Sequence, residues 1–125
     1  MQNLCLVITK RAAECYLSYV AKAKVVRLDG DWDISRRDEL EGLLKPVYDW
    51  PGDLIVDMTT VVYADSTILA ALLVMRNRRK GKSLPLPRLV IASRQVRRLF
   101  NISGLDQAFE TYDSLPAAEA AASTD

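Results

Sequence analysis

Apolar residues fall in short runs between polar breaks, and the spacing inside each run predicts its element. Within residues 1–24, Leu4–Ile8 and Tyr16–Val20 both suit a strand, and Lys10–Glu14 between them suits a helix or a turn. Val25–Leu28 reads as a strand, broken by Asp29-Gly30-Asp31. Ser35 is placed as a helix N-cap, with acidic Asp38 in the first turn. Leu40, Leu43, Leu44 and Val47 then recur at i, i+3, i+4 and i+7, which is one helix face. Trp50-Pro51-Gly52-Asp53 is a turn, and Leu54–Met58 is a short apolar strand of the kind buried on both faces.

Thr59–Ala64 reads as a loop, and Asp65-Ser66 opens a helix running from Thr67 to about Arg79. That helix carries Ile68, Leu69, Leu72, Leu73 and Met75, and Leu69, Leu72 and Leu73 are expected in the core. Its basic end suits the negative pole of the helix dipole. Gly81 stops it, and Leu84-Pro85-Leu86-Pro87 is a stiff loop. Leu89–Ala92 is the next strand, Ser93 caps a short helix over Arg94–Phe100, and Phe109–Tyr112 is a last strand. Ser114 caps a terminal helix over Ser114–Ala122. Strands alternating with helices predict an α/β domain, a mixed sheet of about four to five strands with helices packed against it. Residues 1–24 form an N-terminal extension with the first strand, and residues 25–122 form the body of one domain.

Composition narrows the chemistry more than the fold. The chain has 125 residues, enough for one domain with its own core. Its formal net charge is +1, so overall charge points to neither nucleic acid nor a membrane surface. No apolar run is long enough to span a bilayer, and the start lacks a signal-peptide design, so a cytoplasmic location is expected. There is no histidine, which removes Ser-His-Asp and Cys-His catalysis and His-ligated metals. Cys5 and Cys15 are too few for a closed zinc site or a disulfide framework.

Candidate motifs mostly fail on their context. Gly81-Lys82-Ser83 resembles the end of a phosphate-binding loop, but Arg76 stands where the first Gly is required and prolines follow in place of a helix. Asp29, Asp31 and Asp33 copy the first ligands of an EF-hand, but Ile34 and Leu40 occupy the required Gly and Glu positions. Between Arg76 and Arg98 there are nine Lys or Arg and no acid. The stretch contains no aromatic residue for stacking on bases, so it reads as a solvated basic side, not a nucleic-acid site. No nucleophile–base pair, metal set or cofactor loop remains, and the chain reads as a binding protein without cofactors.

The informative stretch is Asp57-Met58-Thr59-Thr60-Val61-Val62-Tyr63-Ala64-Asp65-Ser66-Thr67-Ile68-Leu69. Asp65 or Ser66 caps the helix that begins here. A serine at that position is also exposed at the positive end of a helix, where free backbone N–H groups favour a phosphate on its hydroxyl. A phosphoryl group adds about −1.5 to −2 charges and would bar a negatively charged partner with little effect on the fold.

The stretch resembles the signature of the STAS family (sulphate transporter and anti-sigma factor antagonist), in which an acidic residue and an apolar loop lead into Asp-Ser-Ser/Thr-Gly-Leu. Two further segments match in order: Arg27-Leu28-Asp29-Gly30-Asp31-Trp32-Asp33 resembles an early Gly-x-x-Asp motif, and Arg97 to Leu105 resembles a late Leu-Phe-x-x-x-Gly-Leu motif. The resemblance covers about residues 25–120. It implies an anti-sigma factor antagonist, a partner-switching protein that binds an anti-sigma factor which is itself a serine kinase and so frees a sigma factor. Phosphorylation ends that binding and a PP2C-type phosphatase restores it. The acceptor serine falls on Ser66, and Asp33, Asp65, Ser66, Thr67, Ile68 and Leu69 fall on the partner surface. Ile68 stands where the family usually has Gly, Asn101 replaces a common Asp, and the Pro-rich 84–87 loop replaces a Gly-rich turn. Those departures favour an alternative: a STAS scaffold, or an accessory subunit of a transporter or signalling complex, that binds through the same helix without phosphorylation.

Overall fold

The computed structural model describes residues 23–123. The runs Leu4–Ile8 and Tyr16–Val20, and Cys5 and Cys15, lie outside the described residues. The elements in chain order are β1 (Ala23–Trp32), a 3-10 turn (Ile34–Arg36), α1 (Arg37–Leu44), a second 3-10 turn (Lys45–Val47) and β2 (Asp53–Ala64). They continue with α2 (Ser66–Gly81), β3 (Arg88–Ile91), α3 (Arg94–Ser103), a third 3-10 turn (Leu105–Gln107), β4 (Glu110–Tyr112) and α4 (Leu115–Ser123).

The four strands lie side by side in the order β1-β2-β3-β4. Each pairing is parallel, so the mixed sheet expected from the sequence is wholly parallel over the described residues. The reason is the connections: each carries a helix back to the start of the next strand, as parallel neighbours require. All three step in the same direction, so crossovers of the usual right hand put α1, α2 and α3 on one face. The main core agrees. It joins Leu40 and Leu44 of α1, Ile68, Leu72 and Met75 of α2, and Val96 and Phe100 of α3 to the sheet. The other face is covered by α4, whose Ala118 and Ala122 pack on Ala23, Ile55 and Val90. In β2, Leu54, Val56 and Met58 face the first core and Ile55 the second, which is the strand period of two.

Two breaks expected from the sequence are absent. Asp29-Gly30-Asp31 does not end β1, and Thr59–Ala64 is strand, not loop. β1 and β2 stay paired through Trp32 and Ala64, with register shifts between Arg27 and Asp29 and between Gly30 and Asp31. Gly30 sits at φ +83, a left-handed conformation that costs glycine nothing, and β1 continues through it while β2 carries the extra residue of each shift. Asp57 lies at the first of these shifts in β2. It is buried, and its carboxylate accepts from the Thr59 backbone N–H at 3.0 Å and from the Thr59 hydroxyl. β3 pairs with β2 only as far as Met58, so the last part of β2 runs on beyond β3, paired with β1 alone, and Val62 and Tyr63 are exposed.

The helix starts also shift. Ser35 is not the cap. Asp33 is, accepting from the Ser35 N–H at 3.0 Å, and a 3-10 turn precedes α1. Leu40, Leu44 and Val47 are buried as expected, but Leu43 is exposed. In α2, Leu69 and Leu72 are buried, whereas Leu73 is half-buried. Gly104 at φ +79 ends α3, the left-handed residue that closes many helices.

Candidate partner-binding site

The site is built where β2 hands over to α2. Asp65 is extended, at φ −117, and its carboxylate accepts from the Thr67 N–H at 2.8 Å, so Asp65 is the N-cap and Ser66 the first residue of α2. The Asp65 N–H donates to the Trp32 carbonyl at 3.2 Å, and the Ile68 N–H donates to the Asp65 carbonyl at 3.2 Å. One step back, the Gln95 side-chain amide pairs with both backbone groups of Ala64. Its oxygen accepts from the Ala64 N–H and its nitrogen donates to the Ala64 carbonyl, each at 3.1 Å. The Ser93 hydroxyl donates to the Val62 carbonyl at 3.3 Å. The start of α3 therefore does for the end of β2 what a neighbouring strand would have done.

The six expected partner-surface residues do not share one fate. Ser66 is exposed, and Asp33, Asp65 and Thr67 are half-buried. Ile68 and Leu69 are buried, at 0% and 6% exposure, so their side chains cannot meet a partner. The helix period explains it: the positions just after Ser66 and Thr67 turn towards the sheet. Both support the helix start from below. Ile68, where the family usually has Gly, fills core and does not crowd the surface beside Ser66.

A groove of about 380 Å³ runs between α1 and α2. Ser66 and Thr67 stand at its edge, Ile34, Ala70 and Val74 supply its apolar lining, and Arg37 comes from the α1 side. Ile34 and Val74 are 69% and 56% exposed. Asp33 holds the turn that presents Ile34. Its carboxyl lies below the usual carboxylate range because it accepts from the Ser35 hydroxyl and, next, from the Ser35 N–H. Arg36 ties that turn to β1: it donates to the Asp29 and Asp31 carbonyls at 3.0 and 2.8 Å and grips Glu39 with two bonds. Its guanidinium also stacks 3.6 Å over the Trp32 ring.

Much of the basic stretch is spent inside the domain. Arg79 is fully buried and donates to five backbone carbonyls. Arg76 donates to the Ala108 carbonyl, Arg78 pairs with Asp49, Arg88 with Asp53, and Arg97 with Asp113. Among the described residues no group of His, Cys, Asp and Glu could hold a metal ion.

The family model described as "Mlab, STAS domain" matches residues 17–115. The chain belongs to the STAS domain family. A search of curated proteins gives no match. Among solved structures, this STAS domain is similar to an anti-sigma factor antagonist from Mycobacterium paratuberculosis, with 25% identity and a TM-score of 0.72 over 81% of this chain and 86% of that one. A sulfate transporter family protein from Wolinella succinogenes matches at 21% identity and a TM-score of 0.70, over 82% of this chain and 86% of that one. The anti-sigma factor antagonist SpoIIAA in its unphosphorylated form matches at 14% identity and a TM-score of 0.58, over 78% and 86%. Among the described residues no helix is long and apolar enough to cross a membrane.

Proposed function

We propose that this STAS domain is an anti-sigma factor antagonist of the cytoplasm, a binding switch set by phosphorylation of Ser66. Unphosphorylated, it binds an anti-sigma factor that is also a serine kinase, through the surface around Asp33, Asp65, Ser66 and Thr67 and the α1–α2 groove, and so frees a sigma factor. The kinase then moves the γ-phosphoryl group of its ATP to Ser66. A bond forms between Oγ and phosphorus, the bond to the leaving diphosphate breaks, and the hydroxyl proton passes to a base of the kinase. A PP2C-type phosphatase reverses the modification by hydrolysis.

The observation that supports this reading is the combination at Ser66. The residue is exposed on the first turn of α2, while both sides of it are fixed, by Gln95 on Ala64 and by Ile68 and Leu69 in the core. Charge added at such a point changes the surface and leaves the packing alone. Calorimetric titration of the Ser66→Ala and Ser66→Asp chains against the cognate kinase, with thermal melts alongside, tests it. Both variants should fold, Ser66→Ala should bind, and Ser66→Asp should bind far more weakly, because like charges facing across an interface cost several kcal/mol. Equal affinities would refute the switch.

The second reading is a scaffold or accessory subunit of a transporter or signalling complex, bound without phosphorylation. The apolar groove favours it, since Ile34 and Val74 are exposed apolar groups that need no phosphate to hold a partner.

A further inference from the structure

We propose that Arg37 is the residue that receives a phosphoryl group on Ser66, leaving Glu41 for it and so bridging the mouth of the α1–α2 groove. The inference rests on the phosphorylation reading above and adds a named receptor and a way for the switch to act within the chain. Arg37 and Ser66 line the same groove from opposite helices. Two arginines stand side by side where α1 begins, and they are committed very differently. Arg36 is held by Glu39 at 2.8 and 2.9 Å and by two backbone carbonyls. Among the described residues Arg37 has a single long contact, Nε to Glu41 at 3.7 Å, and its side chain is 65% exposed. An exposed pair of that kind holds its partners weakly. A phosphate dianion offers the same guanidinium two charges and three acceptor oxygens in a geometry that suits a bidentate contact.

The charged and titratable groups that line the groove are Arg37, Glu41 and Tyr48, and Asp65 adjoins Ser66 in the chain. Arg37 is the one cation in that set. A bridge from Ser66 to Arg37 joins two residues of the same lining that holds Ile34 and Ala70. It therefore closes the surface a partner would use, in addition to any repulsion the phosphate exerts on the partner.

The test installs phosphoserine at position 66 of the full chain by amber-codon suppression and follows its phosphorus resonance by NMR through a pH titration. A cation close by favours the dianion, so the second phosphate pKa, near 6 in the absence of such a cation, is lowered in the native chain. In Arg37→Gln it should rise by about half a pH unit or more, the effect of one charge a few ångströms away in high dielectric. Arg78→Gln, which removes the same charge far along α2, should leave it where it was. The Arg37 side-chain Nε–H signal of the native chain should move with the same midpoint as the phosphate. Superimposable titrations for the native and Arg37→Gln chains would overturn the proposal, and so would an equal rise in Arg78→Gln. A thermal melt confirms that each variant is folded. No kinase is involved, so a negative result here leaves the phosphorylation reading standing. Conversely, a cognate kinase that fails to label Ser66 would refute that reading without touching the pairing measured here.

Discussion

Replacing Arg79 should cost this small domain a large share of its stability, although the residue is far along α2 from Ser66. Arg79 has no exposed surface. Its guanidinium donates to the carbonyls of Pro85 at 2.7 Å, Trp50 at 2.7 Å and Gly52 at 2.8 Å, and more distantly to Tyr48 at 3.2 Å and Val47 at 3.4 Å. Burial pushes its pKa down, with Asp49 and Asp53 opposing the shift, yet an arginine stays charged at any pH of interest. One cation thus fastens the 47–52 connection and the Pro85 loop to α2. Arg79→Met keeps the apolar bulk and removes every donor. The three carbonyls with short bonds are then left unmet at about 1–2 kcal/mol each, and the recovered cost of burying a charge offsets part of that. The net loss is about 2–4 kcal/mol, against a total of roughly 5–15 kcal/mol for a typical domain. Arg79→Lys keeps the charge but offers three donors without the planar fork, and should lose about half as much. Urea unfolding followed by tryptophan fluorescence measures both, since Trp50 sits at the affected turn. The Arg79→Met midpoint should fall steeply at an unchanged slope, and the melting temperature should drop by roughly 10–20 °C. A loss below about 1 kcal/mol would show that something other than Arg79 holds those loops, and the reasoning would fail.

Leu72, fully buried in α2, should cost about 2–5 kcal/mol on truncation to Ala, read from denaturant midpoints; a change below about 0.5 kcal/mol would mean that the helix does not pack as described. Gly30→Ala should cost roughly 1–2 kcal/mol in the same assay. A side chain at φ +83 is strained even though the added carbon would meet only the Arg36 guanidinium at 3.5 Å. Gln95→Ala should raise the amide hydrogen-exchange rate at Ala64, whose N–H loses its acceptor. Asp49 is held at about 2 by hydrogen bonding to Arg78, then to Lys82. A carboxylate depressed in the folded state stabilises above its unfolded pKa and loses that contribution as pH falls through the folded value. Stability should therefore decline from about pH 4 down through pH 2, and less so in Asp49→Asn, as denaturant midpoints against pH will show.

What the sequence could reveal depended on whether a feature was local. The helix after Ser66 and the strand over Leu54–Met58 were legible because their apolar spacing follows from one element's own period. The second half of β2 was not. Buried positions there fall at Val61 and Ala64, with Thr59, Thr60, Val62 and Tyr63 exposed, a spacing that the two register shifts, between Arg27 and Asp29 and between Gly30 and Asp31, impose and no alternating pattern announces. Ser35 was read as the cap, and the 3-10 turn ahead of α1 gives that place to Asp33. Arg79 did leave a signal, since it falls on the helix face of Leu72 and Met75, at i+7 and i+4, where a cation must find internal partners. Arg37 and Gln95 left none. Their roles arise only when the sheet brings α1 and α3 to the two sides of the β2–α2 junction.

That arrangement also bears on how a surface serine can be modified without disturbing the domain. The groups that fix the first turn of α2 are all elsewhere: the Asp65 carboxylate on the Thr67 N–H, the Gln95 amide on Ala64, and the Ile68 and Leu69 side chains in the core. None of these contacts uses the Ser66 hydroxyl. A new charge at that oxygen therefore breaks no bond of the hydroxyl itself, and its free energy is spent on whatever faces the groove. Within the chain, that is Arg37; outside it, the partner. A switch placed on Ser35, by contrast, would break the hydroxyl contact that helps hold Asp33 and would loosen the turn presenting Ile34. A charge placed at position 66 would therefore change affinity and spare stability, which is what the proposed binding switch requires.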